Sequence, residues 1–336
     1  MNKLTNCILK KDSSCVPIWF MRQAGRYLPE FRKIRSENKD FIKLCLNSDL
    51  SSEITLQPLN RFNLDAAIIF SDILMIPYGL GQSVKFERGK GPILSEFNLD
   101  NFLNNKKNNF IKKLNPVYKA INKTKKNLNK TKSLISFVGA PWTLAVYMFG
   151  LKKNNNEVDI DKLKKNESDF KVVIDKLNEY LCVHIEKQIA AGADTVQIFD
   201  SWAGLIPKQD LHNYCYEPNK KIVQFCKERK IPVICFPKGI NKNYLQFAQI
   251  VNPNCLSLDY EISPAWAKDN LKNFCLQGGM HPEILFKSKD EIFSEVDRYL
   301  NIFKGSPYVF NLGHGLLPET NPNIVNEVIQ RVGNFK

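Results

Sequence analysis

Short apolar runs recur along the chain between longer stretches in which apolar residues return every third or fourth position. The runs are Ala66 to Phe70, Leu134 to Val138, Thr195 to Phe199, Pro232 to Phe236, Cys255 to Leu258, Phe274 to Gln277 and Tyr308 to Asn311. They are continuous rather than alternating and rich in β-branched residues, which predicts strands buried on both faces, as in parallel sheets. Between them lie helical patterns such as Val173 to Ala191, where Val173, Leu177, Leu181, Ile185 and Ile189 repeat on one face. Strand, helix, strand without a hairpin signal predicts βαβ units. Two units resemble each other: Asp65-Ala-Ala-Ile-Ile-Phe-Ser-Asp72 and Asp194-Thr-Val-Gln-Ile-Phe-Asp-Ser201.

Seven strands are clear, and an eighth falls either near Ile18 to Met21 or inside a lysine-rich region. The expected class is therefore α/β, a (β/α)8 barrel of TIM type over residues 1–336 as a single domain, with function at the carboxyl ends of the strands. An open doubly wound sheet is the competing architecture. No Gly-x-Gly-x-x-Gly follows any strand, so a dinucleotide-binding unit has no support.

Composition narrows the classes. With 336 residues and 43% hydrophobic content the chain can bury a large core. Its longest uncharged apolar stretch, about ten residues from Trp142 to Leu151, is short of the roughly 18 that span a membrane. The start, Met-Asn-Lys-Leu-Thr-Asn-Cys, lacks the apolar core of a secretion signal, so a cytoplasmic protein is expected. Nine cysteines, never closer than eight residues apart, and four histidines without HxH or HxxxH spacing give neither a disulfide framework nor a metal knuckle. The net charge of +14 raises nucleic-acid binding. Yet 101–132 holds ten lysines and no Asp, Glu or Arg, so one stretch supplies +10 of it. A solvated surface insertion or pair of surface helices explains that bias better than a binding face, which needs interleaved aromatics.

The candidate chemistry starts with arginine. Pro17 to Arg35 contains four of the nine arginines, and Arg22 and Arg26 flank a glycine just before Pro29. Proline disfavours helix before it, so the pair is expected on a loop. Two guanidinium forks on a loop suit an acidic ligand. Polar residues also follow the strands: Ser71 and Asp72, Gly139-Ala-Pro-Trp-Thr with Tyr147 beyond, Asp200 and Ser201, Lys238, Asp259, and His314 in Asn-Leu-Gly-His-Gly. Each alone reads as a helix cap, a satisfied core imidazole or a solvated amine. Convergence at one mouth opposite two arginines marks a site.

With these residues assembled, the chain resembles the uroporphyrinogen decarboxylase family along its whole length. Its members convert the four acetate side chains of uroporphyrinogen III to methyls, giving coproporphyrinogen III in haem synthesis. The resemblance rests on Met21-Arg-Gln-Ala-Gly-Arg-Tyr27, Phe70-Ser-Asp-Ile73, Gly139-Ala-Pro-Trp-Thr143, Phe199-Asp-Ser-Trp-Ala-Gly204, Phe236-Pro-Lys-Gly239 and Asn311-Leu-Gly-His-Gly315. It implies a single distorted barrel, usually a homodimer, working without metal or organic cofactor on a polycarboxylate tetrapyrrole. By motif position the catalytic residues fall on Asp72, Arg22 and Tyr147. Substrate-binding residues fall on Arg26, Ser201 and His314, with Gln23, Ala24 and Gly25 between the arginines. The chain departs from the family in two places: His281 stands where an Asp is usual, and Gly150-Leu-Lys-Lys-Asn-Asn-Asn-Glu replaces a Gly/Ser-rich lid.

Decarboxylating a pyrrole acetate needs an electron sink, which protonation of the ring at its substituted carbon supplies. One buried anion and several cations are then expected. The anion would accept the macrocycle's N–H groups and stabilise the cationic ring, and the cations would hold its carboxylates. Arg22, Tyr147 and a water on Asp72 all remain proton donors at this stage. The rival enzyme is a zinc methyltransferase of the same barrel superfamily, which needs a His/Cys/Cys ligand set. Here His314 is followed by glycine, with no cysteine two residues on. The rival of another class, a basic RNA scaffold, has no motif.

Overall fold

A computed structural model describes residues 2–87, 91–153 and 157–335. Its strands are β1 (Ala66–Ile68), β2 (Val84–Glu87), β3 (Gly91–Leu94), β4 (Ser133–Gly139), β5 (Thr195–Asp200), β6 (Val233–Pro237), β7 (Cys255–Leu258), β8 (Cys275–Gly278) and β9 (Tyr308–Val309). Seven of them form one parallel sheet in the order β1-β4-β5-β6-β7-β8-β9, and all seven coincide with apolar runs seen in the sequence. β2 and β3 make a separate antiparallel pair that the sequence did not announce.

The two edges of the sheet meet the same short segment. Ile18 bridges Phe310 in parallel, and the Phe310 N–H donates to the Pro17 carbonyl at 2.8 Å. On the other side the Asp65 N–H donates to the Ile18 carbonyl at 2.8 Å, while the Ile18 N–H donates to Asp65 Oδ2 at 3.0 Å. One device recurs around the sheet. The residue just before a strand offers its side-chain oxygen to the N–H of the preceding stave: Asp65 to Ile18 at 3.0 Å, Asp194 to Leu134 at 2.7 Å and Asn254 to Val233 at 3.1 Å. The acids gain a lysine as well, Lys3 on Asp65 at 3.4 Å and Lys125 on Asp194 at 2.6 Å. This explains the resemblance between the two Asp-led units.

The helices that matter here are α1 (Lys3–Lys10), α2 (Pro29–Glu37), α3 (Ser48–Arg61), α4 (Lys107–Asn127), α5 (Pro141–Met148) and α6 (Glu167–Ala190). Trp19, Met21, Ile68, Ile135, Ile234, Cys255, Cys275 and Val309 pack on the concave side of the sheet, where Leu4, Cys7 and Ile8 of α1 join them. The larger apolar cluster lies between the sheet and the helices. The lysine-rich stretch, expected as a solvated insertion or pair of surface helices, contains α4. Its Phe110, Leu114, Val117 and Ile121 are buried, and Thr124 donates from its Oγ1 to Ser52 of α3 at 3.0 Å. The helix is thus an amphipathic member of the layer, with lysines on its outer face. All nine cysteines are free. Among the described residues no helix is long and apolar enough to cross a membrane.

Candidate active site

The arginine loop is wound tightly before its side chains are placed. Arg22 has φ 61°, the left-handed region that non-glycine residues enter at a cost. What holds it there is Gln23, fully buried, whose Oε1 accepts from the Phe20 N–H at 3.0 Å and whose Nε2 donates to the Ala66 carbonyl at 3.0 Å. Both ends of its side chain are thus engaged by backbone, which fixes the course of the loop between the two arginines. Ala24 and Gly25 are half-buried in the turn, where the Leu28 N–H donates to the Gly25 carbonyl at 3.0 Å. Arg26 is exposed, and its carbonyl is held by Arg32 at 2.9 Å.

Two hydrogen bonds on the Met21 backbone bring this loop to His314. The Met21 N–H donates to Asn311 Oδ1 at 3.1 Å, and the Leu316 N–H donates to the Met21 carbonyl at 2.9 Å. Gly315 completes the fit: a Cβ there would collide with Cδ and Cγ of Arg22. The arginine stem therefore lies flat on glycine backbone beside the imidazole.

Asp72 lies just beyond β1. Its Oδ1 accepts from the Leu74 N–H at 2.8 Å, a local turn that uses one oxygen, and Oδ2 takes no hydrogen bond from any described residue. The carboxylate keeps some solvent contact while protein surrounds it. Burial pushes its pKa up to about 6, with the Leu74 N–H and then Arg22 pulling it back. Arg22 as a whole remains solvent-exposed while its stem packs on Gly315; the protein around it lowers its pKa, Arg26 lowers it further, and Asp72 and Tyr147 oppose them. Tyr147 rides on α5, which follows β4 with Pro141 in its first turn. Burial raises its phenol pKa and Asp72 adds to the rise, whereas Trp202 and Arg22 oppose it. The Trp202 indole N–H leans toward that phenol without completing a hydrogen bond. Asp72, Arg22 and Tyr147 thus feel one another directly. Burial, then Arg22 and Lys238, bring the His314 imidazole down to about 4, so it is neutral at pH 7.

Not every polar residue at the mouth faces it. Asp200 is buried and accepts from Thr143 Oγ1 at 2.7 Å and Asn219 Nδ2 at 3.1 Å. Thr143 in turn accepts the Trp202 N–H at 3.1 Å, so Asp200 shapes the loop that carries Ser201. Asp259, also buried, accepts from the Gly239 N–H at 2.7 Å and the Glu261 N–H at 3.0 Å. Gly204 and Gly239 press backbone on backbone, since a Cβ on Gly204 would sit 2.6 Å from the Gly239 carbonyl oxygen. Ser201 stays half-exposed, with a hydroxyl that makes no hydrogen bond among the described residues. Charge couples Asp72, Arg22 and Tyr147 to one another, and Arg22 and Lys238 each act on His314, whereas the carboxylates of Asp200 and Asp259 are taken up by neighbouring residues.

Two further features fall at the places where the sequence departs from the family. Lys152 sets its ammonium 4.8 Å over the Trp202 ring, and the only signal for it was a Lys-Lys pair soon after Tyr147. His281 caps the 3-10 helix Pro282–Phe286, its Nδ1 accepting from the Glu283 N–H at 3.2 Å. An aspartate would do the same, so the exchange keeps the cap. Of the lid departure, residues 154–156 lie outside the described residues. Among the described residues no group of three or more His, Cys, Asp or Glu side chains is arranged to hold a metal ion.

Comparison with known proteins agrees along the whole chain. The family model described as uroporphyrinogen decarboxylase (URO-D) matches residues 1–335. A uroporphyrinogen decarboxylase of Cereibacter sphaeroides is 38% identical over 323 residues, covering 94% of each chain. One from Rickettsia felis is 38% identical over 327 residues, covering 96% of this chain and 94% of its own. In fold, a methyltransferase from Methanosarcina mazei superposes with a TM-score of 0.80 at 15% identity, covering 98% of this chain and 97% of its own.

Proposed function

The chain belongs to the uroporphyrinogen decarboxylase family, a carboxy-lyase that decarboxylates uroporphyrinogen in tetrapyrrole synthesis, and we propose that its reaction runs at the mouth that gathers Asp72, Arg22 and Tyr147. The observation that carries this is the carboxylate of Asp72, whose Oδ2 accepts no hydrogen bond from any described residue, in the field of Arg22, which forms no ion pair among the described residues. A carboxylate has about four acceptor positions, enough to receive inward-pointing pyrrole N–H groups. Its charge then stabilises the ring as protonation makes it cationic, and that ring is the sink for the electrons left when carbon dioxide departs.

Arg22 holds the reacting acetate, Arg26 a carboxylate farther out, and Ser201 and neutral His314 orient others by hydrogen bonds. Arg22, Tyr147 and a water on Asp72 are the candidate proton donors; burial makes the Tyr147 phenol a weaker acid, which suits it to positioning the acetate.

We also read the Ile18 segment as the eighth stave of a closed (β/α)8 barrel. Its support is the Asp65 contact, which repeats what Asp194 and Asn254 do between neighbouring strands. Family membership supports a cytoplasmic homodimer of single-domain subunits without metal or organic cofactor, which sedimentation velocity and metal analysis test.

The deciding assay is anaerobic incubation with uroporphyrinogen, followed by chromatography of products by carboxylate number. Asp72→Asn and Arg22→Ala should each lower coproporphyrinogen formation by about a hundredfold or more while the protein stays folded. Near-normal turnover in either variant ends the assignment. His314→Ala should raise KM with turnover largely kept; the reverse pattern contradicts an orienting role.

A further inference from the structure

We propose that Lys238 is a substrate-binding residue, a cation that holds carboxylates on the rim of the macrocycle opposite those held by Arg22 and Arg26. The inference rests on the tetrapyrrole reading and extends it to a residue outside the arginine loop.

Its position comes from topology. The segment at Ile18 bonds to β1 on one side and to the end of β9 on the other. Counting from that segment through β1, β4 and β5, or through β9, β8 and β7, β6 is the fourth stave either way. Lys238 directly follows β6 (Val233–Pro237), and the arginine loop directly follows the Ile18 segment. The two therefore stand across the mouth from each other.

The side chain turns into the mouth. Lys238 is half-buried, and its charge is felt at His314, which lies on the far side beside Arg22. A lysine here is free to extend its stem outward and place its ammonium in water. Instead it stays half-buried, with its charge felt at the neutral His314 imidazole. No hydrogen bond or ion pair of its ammonium exists with any described residue, and the acid closest in sequence along this rim, Asp259, is occupied by the Gly239 and Glu261 N–H groups. A half-buried cation without an acceptor carries a desolvation cost that an arriving anion offsets.

The shape of the substrate supplies that anion. A cyclic tetrapyrrole carries carboxylates around its whole rim. With the ring centred over Asp72, the arginine loop reaches one edge only. The opposite edge needs a donor from β6 or its neighbours, and Lys238 is the ammonium placed there.

The test compares Lys238→Met and Lys238→Arg with wild type. The readouts are steady-state kinetics on uroporphyrinogen and fluorescence titration with oxidised uroporphyrin, an unreactive octacarboxylate. Lys238→Met should raise both KM and Kd about tenfold, the scale of one charge-assisted hydrogen bond, with kcat within about twofold. Its KM should also depend less on salt than wild type. Lys238→Arg should recover most of the affinity. The proposal falls if KM and Kd stay within twofold in Lys238→Met, if kcat drops instead, or if the arginine variant is as impaired as methionine. Should methionine prevent folding, Lys238→Gln removes the same charge with a polar tip. If wild type itself leaves uroporphyrinogen unchanged, the catalytic reading fails, and the uroporphyrin titration still judges Lys238.

Discussion

Arg22 shows how much of a site is set by residues that touch no ligand. Its backbone is held left-handed by Gln23, and its stem rests on Gly315 because no side chain intervenes there. Gly315→Ala should therefore act as a displaced arginine. Its kcat/KM on uroporphyrinogen should drop about tenfold to a hundredfold, the usual cost of misplacing a positioned group by about an ångström, with a small change in melting temperature. Equal losses of activity and stability would instead mean that the methyl disturbs the fold. Asp72 gives a pH prediction with a definite sign. Its carboxyl is raised to about 6, so it is ionised above that pH and neutral below. If the carboxylate form is the working one, kcat/KM should decline below pH about 6, not near the ordinary 3.8. That acid limb should be absent from the residual activity of Asp72→Asn, and a limb that persists there belongs to another group.

Among elements, strands were legible and their surroundings less so. The seven sheet strands are buried on both faces, so they read as unbroken apolar runs. β2 and β3 have four residues each, with polar and half-exposed positions mixed in, and give no pattern to find. In α4 the apolar stripe through Phe110, Leu114, Val117 and Ile121 was hidden by lysines on the outer face, which dominate composition and not packing. Motifs named the polar residues after each strand, yet spacing does not give a side chain's direction. Asp72 leaves an oxygen for the mouth, while Asp200 spends its oxygens on Thr143 and Asn219, Asp259 on the Gly239 and Glu261 N–H groups, and Gln23 its amide on the backbone of Phe20 and Ala66. The Asp65 seam makes the element-scale prediction. Asp65→Ala would leave the buried Ile18 N–H without an acceptor at the join between sheet edges. An orphaned buried donor costs about 1–3 kcal/mol, to be read as a lower midpoint in urea. A midpoint shift below a few tenths of a kcal/mol would show that the Ile18 segment is a loose cover and not a stave.

At the scale of the whole molecule, acid acts on buried groups that pull in opposite directions. Burial holds His184 at about 3 and His314 at about 4, against an ordinary 6.5. His184 is neutral between the Tyr118 hydroxyl at 2.9 Å and Gln188 at 3.0 Å. The unfolded chain takes up these protons first, so the histidines' contribution is complete above pH 6.5 and is lost as pH falls toward 3 to 4. Asp72 and Asp200 do the opposite. Burial raises both to about 6 from 3.8, so the folded state binds their protons more readily and gains stability as pH falls through that interval. Two losses and two gains overlap, and the melting temperature should change little from pH 7 to about pH 4. Below that the gains are exhausted, His184 is still uncharged, and paired surface acids such as Glu30 and Asp297, held low by Arg61 and Arg331, begin to protonate. A steep decline should follow. His314→Gln separates the terms, since it deletes one of the losses and keeps both gains. Relative to wild type it should gain up to about 3 kcal/mol on acidification from pH 7 to 4. Parallel melting curves for the two proteins across that range would show that the imidazole is not held neutral by the fold.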